Sequence, residues 1–322
     1  MVLFLTEYFK SNGLGHLRRC IAFSELFEDA GYATKIIINT DDSSAGIFES
    51  KYIINNWLIN GNFENQYQAI IVDSYRAQIS DYKKISEHTS HLVVIDDDNR
   101  IEYPQSCIIY NGGLGGAIYQ YDPSKYKKIL VGPEYSLLRK PFRNHKESKF
   151  IDKKISRVLI TMGGSDPLNL TSKIINQCSS KFPDLNLDVI IGPGFKHFKE
   201  NQFLKKTTVK FYRNLDATSM VQLMMLADLC ITAGGQTIYE LGKLGIPFIV
   251  IKTAENQQGN ILGLSRVNII DQYLDPNVKN FEHQLENLMQ KLVRKTDRRI
   301  MSEKLLKIFK NKSLSIVDSI FN

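Results

Sequence analysis

The sequence predicts an α/β protein built of two Rossmann-like, doubly wound domains with a cleft between them. Three observations carry this. The chain has 322 residues, enough for two domains that each bury their own core. Short β-branched runs alternate with stretches of helical spacing along almost its whole length. Glycine-rich turns stand where strands hand over to helices, the place where open α/β sheets gather ligands.

The first half supplies strands over Val2–Leu5, Ala33–Ile38, Ala69–Asp73, Leu92–Ile95 and Cys107–Tyr110, with helices over His16–Ala30 and Ile79–His88. A Lys-rich polar stretch with Pro141, Lys140–Lys154, reads as the linker and sets the domains at 1–145 and 146–322. The alternation then resumes with strands Arg157–Thr161, Leu187–Ile191, Thr208–Tyr212, Leu229–Thr232 and Phe248–Ile251. Helices Leu170–Phe182, Asp216–Leu226, Thr237–Leu244 and Gln258–Leu264 accompany them. One long helical tail, Phe281–Phe309, closes the second domain.

Composition narrows the class. A content of 43% hydrophobic and 23% charged residues is that of a globular chain. No apolar run reaches the roughly 20 residues of a membrane-spanning helix, and the start at Met1-Val2-Leu3-Phe4-Leu5 reads as a strand, not a signal segment. A cytoplasmic monomer is expected. Cys20, Cys107, Cys178 and Cys230 lack the spacing of a zinc site or disulfide framework and read as core thiols. The net charge of +7 owes much to Lys291, Arg294, Lys295, Arg298, Arg299, Lys304, Lys307, Lys310 and Lys312. These read as a solvated helix face, with an anionic membrane surface or an acidic partner as the minor alternative.

Three constellations could carry chemistry. Ser11-Asn12-Gly13-Leu14-Gly15-His16-Leu17-Arg18-Arg19-Cys20 follows the first strand. Its glycines let backbone approach a ligand, but Arg18 occupies the place of a third dinucleotide glycine, and no Walker sequence is present. His16 opens the helix, where the dipole favours neutral imidazole and so a base. It could equally cap the helix or pack the loop. His88, His91, His145, His197 and His283 show no metal-ligand spacing. In the second half, Gly163-Gly164-Ser165-Asp166 and Gly234-Gly235-Gln236-Thr237 stand at successive strand ends, and at the second the helix N–H groups and the Thr237 hydroxyl can hold a diphosphate without metal. Glu240 is placed to accept from a ribose diol. Asp96-Asp97-Asp98 could hold a divalent ion, but it reads better as a loop contacting sugar.

The run GLGHLRRC, VDSY, IDDD, GPEYSLLR, TMGGSDPLNLT, AGGQTIYELGKLGIP and ENQQGN resembles the UDP-sugar hydrolase family of pseudaminic acid biosynthesis. The resemblance covers the chain to about residue 265. It implies the GT-B fold and hydrolysis of a UDP-linked amino-modified deoxysugar, with His16 as the base and Tyr75 beside the sugar. It also implies that Gly234, Gly235, Gln236, Thr237, Glu240 and Asn256 hold UDP; Gly13, Gly15, Arg19, Asp97, Arg139, Gly163, Gly164, Ser165 and Gln257 complete the expected substrate-binding set. No metal, cofactor or nucleic acid is implied. A transferase acting on an acceptor, and a nucleotide-sugar-binding module without catalysis, are the alternatives. Where the family carries Asp and small residues after the first strand, this chain has Thr6-Glu7-Tyr8-Phe9-Lys10, which bears on the sugar.

Overall fold

The computed structural model describes residues 1–9, 15–40, 52–61, 63, 66–118, 121–151, 153–196, 198–203, 208–309 and 316–322. Gly13, His197, Lys310 and Lys312 lie outside them. The chain divides into two compact units: residues 1–138 with the last helix, and residues from Arg139 to the end of the helical tail.

The first unit runs β1 (Val2–Tyr8), α1 (Gly15–Asp29), β2 (Thr34–Thr40), β3 (Tyr52–Ile54), α2 (Trp57–Asn60), β4 (Ala69–Asp73), α3 (Ile79–Ser86), β5 (Leu92–Ile95), β6 (Ile108–Asn111) and β7 (Lys128–Val131). Its seven strands are parallel, in the order β3-β2-β1-β4-β5-β6-β7. Period-two side chains divide the core into two layers. Phe4, Ile71 and Val93 face Phe23 and Phe27 of α1, whereas Leu3, Leu5, Ile70 and Val72 face Trp57 and Tyr82. Central strands buried on both faces explain the unbroken apolar runs that made β4 and β5 legible to the residue.

The second unit runs α4 (Lys140–Asn144), β8 (Arg157–Thr161), α5 (Leu170–Lys181), β9 (Asn186–Ile191), β10 (Val209–Arg213), α6 (Ala217–Leu226), β11 (Leu229–Ala233), α7 (Thr237–Leu244), β12 (Phe248–Ile251), α8 (Gln258–Arg266), α9 (Phe281–Val293) and α10 (Lys295–Ile308). Its five parallel strands lie in the order β10-β9-β8-β11-β12. A final helix, α11 (Ile316–Phe321), buries Ile316, Val317 and Ile320 in the core of the first unit. Phe321 stacks on Tyr32 with centroids 4.9 Å apart.

Each sheet has one point where strand order reverses, between β1 and β4 in the first and between β8 and β11 in the second. The carboxyl ends of the strands flanking such a point form a ready crevice for a ligand.

Three elements were not expected from the sequence, and three expectations are corrected. The edge strands β3 and β7 and the four-residue α2 carry no clear periodicity, because they are short and only partly buried. The Lys140–Lys154 stretch is not a free linker: it contains α4, buries Phe142, Arg143 and Ile151, and binds the second unit through the Lys149 N–H on the Leu244 carbonyl. The long tail is broken at Arg294, whose extended backbone (φ −69°, ψ 127°) separates α9 from α10. Arg298 is not on the solvated basic face but fully buried. Its guanidinium donates to the carbonyls of Leu292, Val293 and Lys153, each at 2.7 Å, capping the end of α9. Among the described residues no helix is long and apolar enough to cross a membrane.

Candidate active site

In the first unit, the carboxyl ends of β1, β4 and β5 bring together residues that lie far apart in sequence. His16 is the second residue of α1 and is buried. Its Nδ1 lies 2.6 Å from Oδ1 of Asp73, the last residue of β4, which pairs in register with Thr6 of β1. Arg19, one turn along the same helix face as His16, donates from Nε and Nη2 to Oδ2 and Oδ1 of Asp73 at 2.8 and 2.7 Å. Its Nη1 reaches Asp97 Oδ1 at 2.6 Å, just beyond β5. The Tyr75 hydroxyl donates to Asp97 Oδ2 at 2.9 Å, and its ring stands perpendicular to His16 with centroids 4.5 Å apart. His16, Arg19, Tyr75 and Asp97 are thus joined through Asp73 into one chain of charge-assisted bonds.

The charges follow from this geometry. Burial alone would raise the Asp73 carboxyl, but Arg19 and His16 override it and hold the group down at about 2. Burial alone would lower the His16 imidazole, but the ionised Asp73 at hydrogen-bond distance overrides that and holds it above its ordinary value of 6.5. The helix dipole therefore does not decide the protonation of His16, contrary to the expectation from its position: a full charge at 2.6 Å outweighs the partial charge of a helix terminus. Burial and the neighbouring Asp97 push the Tyr75 phenol far up, so it stays a donor.

The Asp96-Asp97-Asp98 loop is held by donors from its own unit. Asp96 accepts from the hydroxyls of Tyr103 (2.9 Å) and Tyr121 (2.7 Å) and from the N–H groups of Asn99 and Arg100. Asp97 is taken by Arg19 and Tyr75. Two of the three carboxylates are therefore filled by donors that a cation would have to displace.

In the second unit the two glycine pairs flank the β8–β11 reversal. Gly163 has φ +81°, and a Cβ built at Gly163, Gly164 or Gly235 would meet nothing within 4 Å. The backbone there is bare toward open space. Gly192 and Gly194, unremarked in the sequence, prop the first loop. The Gly194 N–H donates to the Gly164 carbonyl at 2.8 Å, and a Cβ at Gly192 would come within 2.3 Å of the Gly163 carbonyl oxygen.

The two loops differ in one decisive respect. Asp166 is buried and accepts from Leu170 N–H (2.9 Å) and Thr171 N–H (2.8 Å), so a carboxylate already occupies the start of α5. At α7 the N-cap residue Gln236 makes no side-chain bond to the helix N–H groups. No side-chain carboxylate fills the start of α7 in this way; its Ile238 and Tyr239 N–H groups turn back onto the Gly235 and Gln236 carbonyls at 3.3 and 3.1 Å. Asn260 braces this second loop, donating to the Gly234 carbonyl at 3.0 Å while accepting from the Tyr239 hydroxyl at 2.5 Å.

Glu240 is buried and its Oε1 accepts from Arg139 Nε at 2.8 Å. Burial pushes its carboxyl up, and Arg139 pulls it back only in part. Asn256 is exposed, whereas the Gln257 Oε1 accepts the Thr253 N–H at 2.9 Å and so closes its own loop. Gly15 and Ser165 are exposed and Thr237 partly so.

Sequence reasoning missed Asp73 as a site residue. Its signal was present: an aspartate closing the apolar run Ala69-Ile70-Ile71-Val72 at the carboxyl end of a central strand. Glu7, near the end of β1, stood out only as part of the Thr6-Glu7-Tyr8-Phe9-Lys10 departure and not as a site residue.

Comparison with known proteins agrees with the fold. Solved structures superpose over both units. Arabidopsis thaliana UGT89C1, complexed with UDP-L-rhamnose, aligns with TM-score 0.63 and 10% identity, over 100% of this chain and 99% of that one. MurG of Acinetobacter baumannii aligns with TM-score 0.57 and 13% identity, over 99% of each chain. The likeness shows the GT-B fold of two parallel-sheet α/β units.

Among curated sequences, the uncharacterized protein MJ1062 of Methanocaldococcus jannaschii is 28% identical over 80% of this chain and 56% of its own. The pseudaminic acid cytidylyltransferase and UDP-2,4-diacetamido-2,4,6-trideoxy-beta-L-altropyranose hydrolase of Helicobacter pylori is 26% identical over 80% of this chain and 45% of its own. The chain thus spans about half the length of these two relatives. The UDP-2,4-diacetamido-2,4,6-trideoxy-beta-L-altropyranose hydrolase of Campylobacter jejuni is 23% identical over 82% of this chain and 96% of its own. Residues 158–318, half of the chain, match the glycosyltransferase family 28 C-terminal domain, and the chain belongs to that family.

Proposed function

We propose that the protein hydrolyses a UDP-linked, amino-modified deoxysugar at its anomeric carbon, releasing UDP and the free sugar for surface-glycan biosynthesis of the nonulosonic, pseudaminic type. The His16–Asp73 pair carries this reading, and the names of the Helicobacter and Campylobacter relatives support it. With Nδ1–H donated to Asp73, the Nε2 lone pair of His16 is the ring's acceptor. It takes a proton from water as the water oxygen bonds to the anomeric carbon. The carbon–oxygen bond to the diphosphate breaks, and UDP leaves with the electron pair. Arg19 keeps Asp73 ionised throughout. The Gly234–Thr237 turn at the start of α7 holds the diphosphate, Glu240 accepts from the ribose, and Arg139 orients Glu240. No step calls for a metal or cofactor. The reading places the protein in the cytoplasm, where nucleotide sugars are made, as a monomer.

The test is incubation with a panel of UDP-sugars in heavy-oxygen water. UDP and free sugar should appear without acceptor, the label should lie on the sugar alone, and EDTA should change nothing. Label in UDP would mean attack at phosphorus and would end the His16 mechanism. Family 28 membership favours one rival, transfer to an acceptor. Turnover only when an acceptor is added would establish it, and tight UDP binding with no turnover would leave a binding module.

A second measurement addresses Glu240. UDP at a hundredfold excess over its Kd should stabilise the protein by about 2.7 kcal/mol. Glu240→Ala should lose part of that stabilisation, because the ribose hydroxyls lose an acceptor. Equal stabilisation in both proteins would remove Glu240 from the ribose.

A further inference from the structure

The end of β1, where this chain departs from the family it resembles, is tied to the turn that carries Tyr75. Glu7 is fully buried within β1. Its Oε2 accepts the Ser74 hydroxyl at 2.6 Å, and its Oε1 accepts the Tyr75 backbone N–H at 3.0 Å. The Ser74 oxygen in turn accepts the N–H groups of Arg76 (3.0 Å) and Ala77 (3.1 Å). A hydroxyl has one proton and two lone pairs, so every capacity of Ser74 is used. Two residues beyond Glu7, the Phe9 ring lies under the Arg76 guanidinium, 3.3 Å from its centroid, and grips the same turn.

We propose that Glu7 is a positioning residue for the reaction, fixing the Ser74–Ala77 turn so that Tyr75 stays perpendicular to His16 with its hydroxyl on Asp97. The inference rests on the proposed roles of His16 and Tyr75. The bond inventory requires a carboxylate here. A glutamine would offer one oxygen, and its NH₂ would face either the Tyr75 N–H or the filled Ser74 oxygen, leaving a buried donor without an acceptor. Glu7 also acts on His16 by charge. The groups around the imidazole are Asp73 from β4, Arg19 from α1, Glu7 from β1 and the Tyr75 phenol. Glu7 adds to Asp73 in favouring the protonated ring, against burial and Arg19.

The test uses Glu7→Gln, with Ser74→Ala breaking the same link from the turn side should Glu7→Gln fail to fold. The His16 imidazole signal is followed by NMR through a pH titration of the unliganded protein, UDP affinity by calorimetry, and UDP release by kinetics. In both variants the His16 signal should move, because the perpendicular Tyr75 ring is displaced. The titration midpoint should fall in Glu7→Gln, which loses the negative charge. A misplaced turn should lower kcat about tenfold or more, with UDP affinity changed less than about twofold. Folded variants with wild-type His16 signals and titration, differing only in melting temperature, would make Glu7 purely structural and overturn the proposal. The NMR and calorimetric readouts do not depend on turnover. Failure to find a hydrolysed UDP-sugar would therefore count against the proposed function, while the His16 signals would still decide the role of Glu7.

Discussion

Asp73→Asn is expected to lower kcat by roughly three to four orders of magnitude with UDP affinity unchanged. The amide keeps the size of the carboxylate but offers His16 either an N–H or an uncharged oxygen, so the tautomer with a lone pair on Nε2 is no longer enforced. It also leaves Arg19, which makes two bonds to Asp73, with one weakened partner. The pH profile should change in a defined direction. In the wild type His16 must be neutral to act as a base, and its pKa is raised above 6.5, so the acid limb of kcat/KM should lie above 6.5. Without Asp73, burial and Arg19 both disfavour the cation, and the limb should move to lower pH. Stability responds with the opposite sign. Asp73 is depressed from 3.8 to about 2, so its stabilisation is present above 3.8 and is lost as the pH falls toward 2. Asp73→Asn should lack that acid-sensitive component. A variant with wild-type kcat and an unmoved acid limb would show that His16 does not depend on Asp73.

His16→Asn should reduce kcat by roughly a hundredfold or more, since water then loses its proton acceptor. UDP should still bind, because the α7 loop and Glu240 belong to the other unit. The double variant with Asp73→Asn adds a sharper check. Residues that act as one unit are strongly non-additive, so it should be little slower than the slower of the two single variants. Multiplication of the two losses would mean that the residues act separately. Near wild-type kcat in His16→Asn would return that residue to packing the start of α1.

Much of the frame was legible in the sequence. Ala69–Asp73, Leu92–Ile95, Arg157–Thr161, Phe248–Ile251 and Thr237–Leu244 were read to the residue. Central parallel strands are buried on both faces and so appear as unbroken apolar runs, and a helix declares itself by local spacing. Gly234-Gly235 and Gly163-Gly164 were legible because paired glycines after an apolar run mark a strand-to-helix turn, which is also a local property. His16 was found for the same reason, as an ionisable group placed where a helix begins.

What the tertiary structure decided is a matter of partners distant in sequence. Asp73 lies 57 residues from His16, and their bond exists because β1 and β4 are neighbours at the strand-order reversal. That bond sets the direction of the His16 shift, which reasoning from the helix dipole alone had reversed. The same holds for the glycine loops. Their sequences are alike, and only the tertiary structure shows that the Asp166 carboxylate already fills the start of α5. It holds again for the tail, where Arg298 is buried against the end of α9 and α11 completes the first core. Sequence determines the elements and their order because their signals are carried within a few turns of chain. Charge state, and which groups are already occupied, depend on long-range proximity, and that is set only when the sheets assemble.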